Sequence, residues 1–289
     1  MTRPFLRWVG GKAQLVPELR ALLPAGWRSL RYVAPFVGGG ALFFALQAEL
    51  ERGALLADAN QDLVHAYQVV QGDVGRLVSR LGGLSADAAT FDRLKSQLNG
   101  RRHRAPLKRA AALIAVNRMA FNGLYRLNGE GELNVAFDPS REDCDLVREA
   151  RLLAASATLL GAEVRCQDFR ETLAEVGEGD LVYADSPYVP RVVTDSRQLG
   201  IVPDERPSFT AYTARGFGQA DHLALLKGLV QVRDRGAFVL ASNAANPAWE
   251  ALYLRAGFEL HRVSVRRDVS CDAATRGLAQ EVVYIGRPS

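Results

Sequence analysis

The sequence predicts an α/β fold with an inserted helical segment, and three observations support this. In residues 1–60 and 146–289, short apolar runs that end at polar or glycine-rich turns alternate with helical spacing, as in sheets covered by helices. Residues 61–145 carry helical periodicity without strand signals. The chain of 289 residues, 48% of them hydrophobic, is long enough for a large core. We therefore predict an α/β domain over 1–60 and 146–289, with a helical insertion over 61–145.

Composition narrows the class of protein. The net charge of +4 favours a polyanionic partner only mildly. The three cysteines, Cys144, Cys166 and Cys271, lie far apart, which argues against a disulfide framework and favours a reducing cytoplasm. The four histidines show no metal-ligand spacing, and no apolar run is long enough to span a bilayer. We expect a cytoplasmic protein with no metal and no membrane segment.

The chain opens with residues 5–12, FLRWVGGK, before a stretch with helical spacing. A lysine after paired glycines can reach an anion or a carboxylate, and Trp8 offers a flat wall. The alternative is an N-terminal loop that packs one tryptophan into the core, and this segment alone favours the alternative. Lys12 and Trp8 are therefore candidates whose support must come from elsewhere in the chain.

A strand, a turn and a helix are predicted next, over residues 30–34, 35–40 and 41–50. The turn, PFVGGG, contains Phe36, Gly38 and Gly40 and lets backbone amides approach a ligand closely. A second apolar run ends at Asp58, twenty positions after Gly38, where an acid meets ribose hydroxyls in a Rossmann-like βαβ unit. Because the glycines do not fit G-x-G-x-x-G, a nucleoside-containing cofactor other than NAD is favoured.

The helical insertion contains two candidate DNA-binding segments. Arginines at 101, 102 and 104 form a basic cluster that either contacts phosphates or is simply solvated. Residues 117–135 combine amides, arginines and aromatics with glycines, and residues 129–131 can turn a hairpin. Arginine and asparagine suit bidentate contacts to guanine and adenine edges, while Phe121 or Leu124 can wedge between base steps. We interpret this second segment as a recognition loop.

After a predicted helix over 146–160, the alternation of strands and helices returns. Asp168 and Phe169 follow the strand predicted at 164–166, in the position of an adenine pocket. A further apolar run, 181–184, leads to Asp185. A polar loop, a helix near 222–232 and strands at 237–241, 258–265 and 281–286 complete the chain.

The turn at 185–188, DSPY, is suited to grip a flat ring that carries an amine. Asp185 and the carbonyl of Ser186 can each accept a proton of an exocyclic amine. Pro187 stiffens the turn, and Tyr188 offers a stacking face. Since ligands of open α/β sheets gather at the carboxyl ends of strands, the sequence predicts chemistry on a nucleobase amine at this turn.

Taken together, these segments resemble the DNA adenine N6-methyltransferases of the Dam type, which use S-adenosylmethionine. The resemblance covers nearly the whole chain in matching order: 5–12 (FLRWVGGK), 35–40 (PFVGGG), 117–118 (NR) with 121–126 (FNGLYR), 185–188 (DSPY) and 209–212 (FTAY). Each segment is weak alone, but their order and spacing are specific. The resemblance implies a Rossmann-like methyltransferase fold with a helical DNA-recognition insertion, in agreement with the pattern of elements.

The resemblance also implies roles for individual residues. Asp185 contacts both the cofactor and the target base, and the full cofactor set comprises Trp8, Lys12, Phe36, Gly38, Gly40, Asp58, Asp168, Phe169 and Asp185. Phe121 fills or wedges the base stack, while Leu124 and Arg126 read neighbouring base pairs; members of this group often recognise GATC. The full DNA-binding set comprises Arg101, Arg102, Arg118, Phe121, Asn122, Leu124, Arg126 and Asn128.

The expected reaction is methyl transfer to adenine N6 in duplex DNA. An adenine flipped from the duplex stacks on Tyr188, and its N6 protons are shared between Asp185 and the Ser186 carbonyl. Two alternatives stay open at this point: N4-cytosine methylation, since cytosine also presents an exocyclic amine, and a catalytically silent DNA-binding protein. We expect a monomer, because one asymmetric reader serves one strand at a time.

Two positions depart from the family pattern. Ser186 replaces the first proline of Asp-Pro-Pro-Tyr, and Ala34 replaces an acid before Pro35. We expect Ser186 to loosen the turn without loss of chemistry, because its carbonyl remains; a proline there would favour the turn by about 0.4–1 kcal/mol. Ala34 would weaken cofactor binding if the missing acid contacts the cofactor.

Overall fold

A computed structural model describes residues 2–8, 11–100, 105–189, 192–194, 201–203, 216–266 and 278–288. Four predicted features lie outside the described residues: the Arg101, Arg102 and Arg104 cluster, Cys271, the segment 209–212, and residues 9–10 of the N-terminal motif.

The fold is built on one mixed sheet of seven strands, in the order β3-β2-β1-β4-β7-β9-β8. The first five of these strands are parallel, and β9 runs antiparallel to both of its neighbours. The seven strands are β1 Arg31–Ala34, β2 Ala54–Asp58, β3 Ala162–Cys166, β4 Asp180–Asp185, β7 Phe238–Ala244, β8 Glu259–Arg266 and β9 Leu278–Gly286. The short strands β5 Val192–Thr194 and β6 Ile201–Pro203 form a separate antiparallel pair. The predicted α/β class is confirmed.

Helices cover both faces of this sheet. They are α1 Val16–Ala21, α2 Ala41–Leu46, α3 Gln61–Gly72, α4 Val74–Gly82, α5 Ala88–Asn99, α6 Pro106–Met119, α7 Glu149–Leu159, α8 Phe169–Ala174, α9 Gln219–Asp234 and α10 Pro247–Arg255. Successive strand residues enter opposite cores: Leu181 packs among α2, α3 and α7, whereas Val182 packs among α8, α9 and α10. This two-sided burial explains why the parallel strands read as continuous apolar runs.

Helices α3 to α7 lie in the chain between β2 and β3. Helix α6 is buried from Ala110 to Met119, with α3, α4 and α5 packed around it. The apolar side chains of these helices belong to the same cluster as one face of the sheet. The helical segment therefore packs directly onto the α/β part, and the domain boundaries at 61 and 145 stay a prediction.

The strand order reverses between β1 and β4. Sequential crossovers lead from β1 to β2 and β3 on one side, and from β4 to β7 on the other. Such a switch point opens a crevice at the carboxyl ends of the strands. Asp185 ends β4 at this edge, level with Ser242 of β7, and Asp58 ends β2.

Candidate active site

One carboxylate oxygen of Asp185 is engaged by neighbouring side chains, and the other is not. Its Oδ1 lies 2.9 Å from the Nζ of Lys12 and accepts a 2.8 Å hydrogen bond from the hydroxyl of Ser242. That hydroxyl is in turn 3.0 Å from the hydroxyl of Tyr183. Within the described parts of the chain, no donor reaches Oδ2, and the side chain is 21% exposed. The site therefore fixes the orientation of Asp185 and leaves Oδ2 able to accept a proton from a ligand.

Lys12 is buried between two carboxylates. Its ammonium lies 3.9 Å from the Oε2 of Glu281, in addition to its contact with Asp185, and 4.7 Å from the centre of the Tyr188 ring. Burial alone would lower the pKa of Lys12, but Asp185, Tyr188 and Glu281 raise it above its ordinary value. Lys12 is therefore charged at neutral pH and contacts the carboxylate of Asp185, while its role toward a cofactor stays a prediction.

Glu281 is a site residue that the sequence did not predict. It lies on β9, is 2% exposed, and accepts a 2.7 Å hydrogen bond from the hydroxyl of Tyr188. Burial raises the pKa of Tyr188 to about 12, so this hydroxyl stays protonated and donates. The contact fixes the Tyr188 ring, the predicted stacking face, across 93 residues of sequence.

The turn after Asp185 is held by Asn243 of β7. The Nδ2 of Asn243 lies 3.2 Å from the hydroxyl of Ser186 and 3.3 Å from the carbonyl of Pro187, and its Oδ1 accepts a 3.0 Å bond from the Val189 amide. Three positions of the turn are thus tied to one buried amide, which does not support the expectation that Ser186 loosens it. Among the described residues, nothing donates to the Ser186 carbonyl, which is available for a ligand amine.

His222 of α9 supports the same turn from the other face. It is 2% exposed, forms a hydrogen bond with the backbone of Tyr188, and packs against Phe217 and Trp249. Burial lowers the pKa of His222 to about 4, so the ring is neutral at physiological pH. His222 is therefore a buried, hydrogen-bonded histidine.

The glycine-rich turn and Asn60 hold Asp58 through backbone amides, and the predicted contact of Asp58 with ribose stays a prediction. The amide of Gly38 donates to the Oδ2 of Asp58 at 3.1 Å, and the amide of Asn60 donates to Oδ1 at 2.9 Å. Burial raises the pKa of Asp58 to about 6, against the effect of these two bonds. Each oxygen keeps one lone pair for a further donor. The turn needs glycine: Gly38 has φ of +49°, and a Cβ there would lie 3.1 Å from the Trp8 ring.

Trp8 lies between the glycine turn and the helical segment. Its ring stacks on Tyr125, with centroids 5.0 Å apart and an interplanar angle of 25°. The neighbouring backbone of Arg7 forms a two-way pair with the side chain of Asn117 at the end of α6, at 2.9 and 2.6 Å. Trp8 thus packs against the hydrophobic core and also contacts the glycine turn, and its role at a cofactor stays a prediction.

Phe36 and Phe169 lie together near the end of β1. Their rings stack with centroids 5.4 Å apart, and Phe217 packs on both. A flat base between the two rings would need about 7 Å, two contacts of about 3.5 Å each. A base must therefore lie beside this pair unless the rings separate. Asp168 is 44% exposed, caps α8 and pairs with Arg170 at 3.1 Å.

The residues at this edge fit S-adenosylmethionine by their chemistry. Asp58 presents a carboxylate with remaining acceptor capacity, as two ribose hydroxyls require. Asp185 offers a carboxylate for a cationic group, and the Phe36, Phe169 and Phe217 cluster offers apolar ring faces. Gly38 and Gly39 carry no side chain, and the Trp8 side chain packs closely against both.

Part of the predicted recognition loop is exposed. Phe121 is 54% exposed at the start of the short turn Phe121–Gly123, and Asn122 is exposed in the left-handed region with φ of 55°. Leu124 is half-buried, and Arg126 is exposed with its Nε 3.2 Å from the Asn134 carbonyl. The predicted hairpin is present as a bridge between Leu127 and Leu133.

Three polar residues of the helical segment have internal partners. Arg118 is 5% exposed, and its guanidinium donates to the carbonyl of Leu146, so it does not lie at the surface where a base edge could contact it. Asn128 caps the hairpin, because its Oδ1 accepts from the amides at 130 and 132 at 3.0 and 2.8 Å. Arg109, which follows the basic cluster in the sequence, forms a pair of hydrogen bonds with Asp62 at 2.6 and 2.7 Å.

In the described part of the chain, no helix is long and apolar enough to cross a membrane. Over the same residues, no group of three histidine, cysteine or acidic side chains has the geometry of a metal site.

Comparison with known proteins gives one consistent result. A family model described as D12 class N6 adenine-specific DNA methyltransferase matches residues 8–269. The DNA adenine methylase of Escherichia coli (strain K12) is 31% identical over 293 residues, with 99% of this chain and 96% of that protein covered. The Type II methyltransferase M.MjaIII of Methanocaldococcus jannaschii is 31% identical over 288 residues, with 95% of each covered. The Type II methyltransferase M1.LlaDCHI of Lactococcus lactis subsp. cremoris is 29% identical, with 97% and 94% covered.

Proposed function

Since the chain belongs to the D12 class of N6 adenine-specific DNA methyltransferases, we propose that Asp185 and Ser186 hold the N6 amine of the target adenine. The hydrogen bonding of the Asp185 carboxylate supports this proposal. Lys12 and Ser242 contact Oδ1, while Oδ2 and the Ser186 carbonyl have no donor among the described residues. Two acceptors on one turn match the two protons of an exocyclic amine.

These acceptors act on the electrons of the amine. In free adenine, the N6 lone pair is delocalised into the ring, which makes the nitrogen a weak nucleophile. Hydrogen bonds from both N6 protons to Asp185 and the Ser186 carbonyl favour a localised lone pair, and Asp185 can accept the proton that leaves. Tyr188 stacks on the base, with its ring fixed by Glu281 and Lys12. Positioning of this kind supplies much of the acceleration in two-substrate reactions.

S-adenosylmethionine supplies the methyl group from a sulfonium centre. We assign its ribose to Asp58 and its methionine end to Trp8, Lys12 and Asp185. Gly38 and Gly40 line the turn beside it, and Phe36, Asp168 and Phe169 border the adenine. The aromatic contact between Phe36 and Phe169 favours a base beside the pair over one between them.

We assign the DNA-facing surface to the turn and hairpin that follow α6. Phe121 is the large exposed apolar side chain of this turn and suits insertion into a base stack when adenine flips out. Asn122, Leu124 and Arg126 are accessible for base contacts, and GATC is the site we expect first. Arg118 and Asn128 act in this proposal as supports of the fold. The enzyme acts as a monomer in the cytoplasm, where its DNA substrate is present.

The test is to identify the methylated nucleoside. The protein is incubated with methyl-labelled S-adenosylmethionine and duplex DNA, and the DNA is digested to nucleosides. We expect label in N6-methyladenine, and substrates with a substituted GATC should accept less label. Label in N4-methylcytosine alone would refute the assignment of the amine. No transfer, in the presence of measurable cofactor and DNA binding, would show that this chain is a silent member of its family.

A further inference from the structure

Five arginines without an assigned role gather where the N-terminal segment meets α7. We call Arg3, Arg7, Arg141, Arg148 and Arg151 the arginine patch. Arg3 and Arg7 are exposed, and the other three are half-buried. They come from three separate parts of the sequence, so their proximity is a product of the fold.

Backbone and helix geometry place these residues side by side. The N-terminal segment contacts α7, because the hydroxyls of Thr2 and Thr158 lie 3.1 Å apart. Arg151 lies two helical turns before Thr158 and therefore on the same face of α7. Arg148 is the N-cap residue of α7, one turn before Arg151. The other end of the segment is fixed where the backbone of Arg7 pairs with Asn117.

The arginines of the patch repel one another, and acidic neighbours offset this only in part. Burial lowers the pKa of Arg7, the charges of Arg141, Arg148 and Arg151 lower it further, and Asp138 acts in the opposite direction. Burial, then Arg148 and Arg3, lower the pKa of Arg151 in the same way. In the described chain, Arg141 alone of the five has an ion pair, at 3.8 Å to Asp138. Asp145 is engaged with the backbone amides of Val147 and Arg148 at 2.8 and 3.0 Å.

A buried guanidinium adds to this positive region. Arg118 is 5% exposed, and within the described residues its Nε and Nη2 have no hydrogen-bond partner. Burial lowers the pKa of Arg118 to about 10, with Arg148 and Arg151 acting in the same direction, so the group is still charged at neutral pH. A cation buried without full compensation strengthens the positive potential at the surface above it.

The patch adjoins the exposed turn of the predicted recognition loop. A Cβ added to Gly123 would lie 2.5 Å from the Cβ of Arg7, so the Arg7 side chain lies directly against the turn that carries Phe121. A duplex whose bases meet Phe121 would continue over this side of the protein. Guanidinium groups bind phosphate oxygens through paired hydrogen bonds.

We propose that the arginine patch binds the phosphate backbone of the duplex that flanks the target adenine. This role is separate from that of the sequence-predicted cluster at 101–104, and it rests on the proposed function because the ligand is the DNA substrate. The contacts position the duplex and carry no sequence information. They also release counterions, so their number can be measured from the salt dependence of binding.

The experiment measures DNA affinity between 50 and 200 mM salt, using the full chain and one fluorescent duplex. The plot of log K against log salt has a negative slope, to which each phosphate contact contributes about −0.9. The double variant Arg148→Gln/Arg151→Gln should make this slope less negative by about 1.8. The variant Arg148→Lys/Arg151→Lys keeps both charges and should retain the slope. A control with the same change in net charge is Arg255→Gln/Arg287→Gln, whose arginines are exposed at α10 and after β9. Its slope should equal that of the parent protein.

An unchanged slope in the Arg148→Gln/Arg151→Gln variant, or an equal change in the control, would overturn the proposal. Transfer to adenine by the parent protein, measured at low salt, reports on the proposed function separately. If the parent transfers methyl groups and the slopes do not differ, the patch inference alone fails. If the parent does not transfer and the slope still becomes less negative, the proposed function fails and the phosphate site stands.

Discussion

Replacement of Lys12 by methionine tests how the active site tolerates two carboxylates. Lys12 is 7% exposed and lies 2.9 Å from Asp185 and 3.9 Å from Glu281, itself 2% exposed. Removal of one partner from a buried ion pair costs about 3–5 kcal/mol. We expect a loss near the lower end, about 3 kcal/mol, because Asp185 is 21% exposed and keeps its bond from Ser242. Methionine retains most of the aliphatic chain, so little packing is lost.

The pH dependence distinguishes this cause from a general packing defect. The pKa of Lys12 is raised above its ordinary value, so in the parent protein its stabilisation is complete below about pH 10 and is lost only as pH rises through the folded pKa. Lys12→Met lacks this group at every pH, so its deficit should stay constant from pH 5 to pH 8. The deficit should shrink at about pH 11, where the unfolded parent chain loses the lysine charge and the folded parent keeps it. A packing defect would give the same deficit at every pH.

The assay is urea unfolding followed by tryptophan fluorescence at pH 8 and at about pH 11, with Lys227→Met as the control. Lys227 is exposed on α9, and its replacement should change the free energy of unfolding by no more than about 0.5 kcal/mol. A deficit below about 1 kcal/mol for Lys12→Met at pH 8 would refute the reasoning. So would a deficit of equal size at about pH 11.

Three further substitutions test the rest of the site. Ser242→Ala removes the donor to the Oδ1 of Asp185 and should slow single-turnover methyl transfer by about tenfold, as expected for one hydrogen bond to a charged group; an unchanged rate would contradict this. Because the pKa of Asp58 is raised to about 6, the affinity of the parent protein for the cofactor, measured by calorimetry, should fall as pH drops below about 6. The variant Asp58→Asn should bind the cofactor weakly at every pH. An affinity of the parent protein that does not change with pH would remove Asp58 from the cofactor site. Ser186→Pro should stabilise the protein by about 0.4–1 kcal/mol, because proline restricts the unfolded chain, and should lose a hydrogen bond to Asn243 worth about 0.5–1.5 kcal/mol. The free energy of unfolding should therefore change by less than about 1 kcal/mol. A decrease above about 2 kcal/mol would show that Asn243 holds the turn more strongly.

Local patterns were sufficient to predict much of the site. Asp185 and Asp58 end apolar runs, and parallel strands bring such ends to one edge of a sheet. The glycine turn and its acid, twenty residues apart, meet through one βαβ unit, so their contact follows from short-range order. The hairpin around Asn128 also follows from a local turn signal.

Contacts between distant strands could not be predicted in this way. Ser242, Asn243 and Glu281 lie 57 to 93 residues after the turn they support, and each stands in a strand that reads as ordinary apolar sequence. Their places depend on the order of β4, β7 and β9, which a single sequence does not determine. A polar residue inside a late apolar strand, such as Glu281, is the signal that could have marked them.

The fate of Arg118 shows a different limit. Arginine followed by aromatic and amide residues favours a nucleic-acid reader, but Arg118 stands near the end of α6, a helix buried on all sides from Ala110 to Met119. The run of apolar residues before it is the signature of such a helix, and that signature predicts an inward position. Surface roles therefore begin after α6, at Phe121.

The most direct test of the central claim is the methyl-transfer rate of Asp185→Asn in a single turnover. Asparagine keeps the size of the side chain and replaces the acceptor Oδ2 or its partner oxygen by a donor. Because Asp185 is also assigned to the methionine end of the cofactor, the rate is measured at saturating cofactor and DNA. The rate constant for transfer to adenine should fall by about 10²–10³, as when one preorganised electrostatic contact is removed. A rate constant within tenfold of the parent, at saturation, would contradict the proposal that Asp185 acts on the adenine amine.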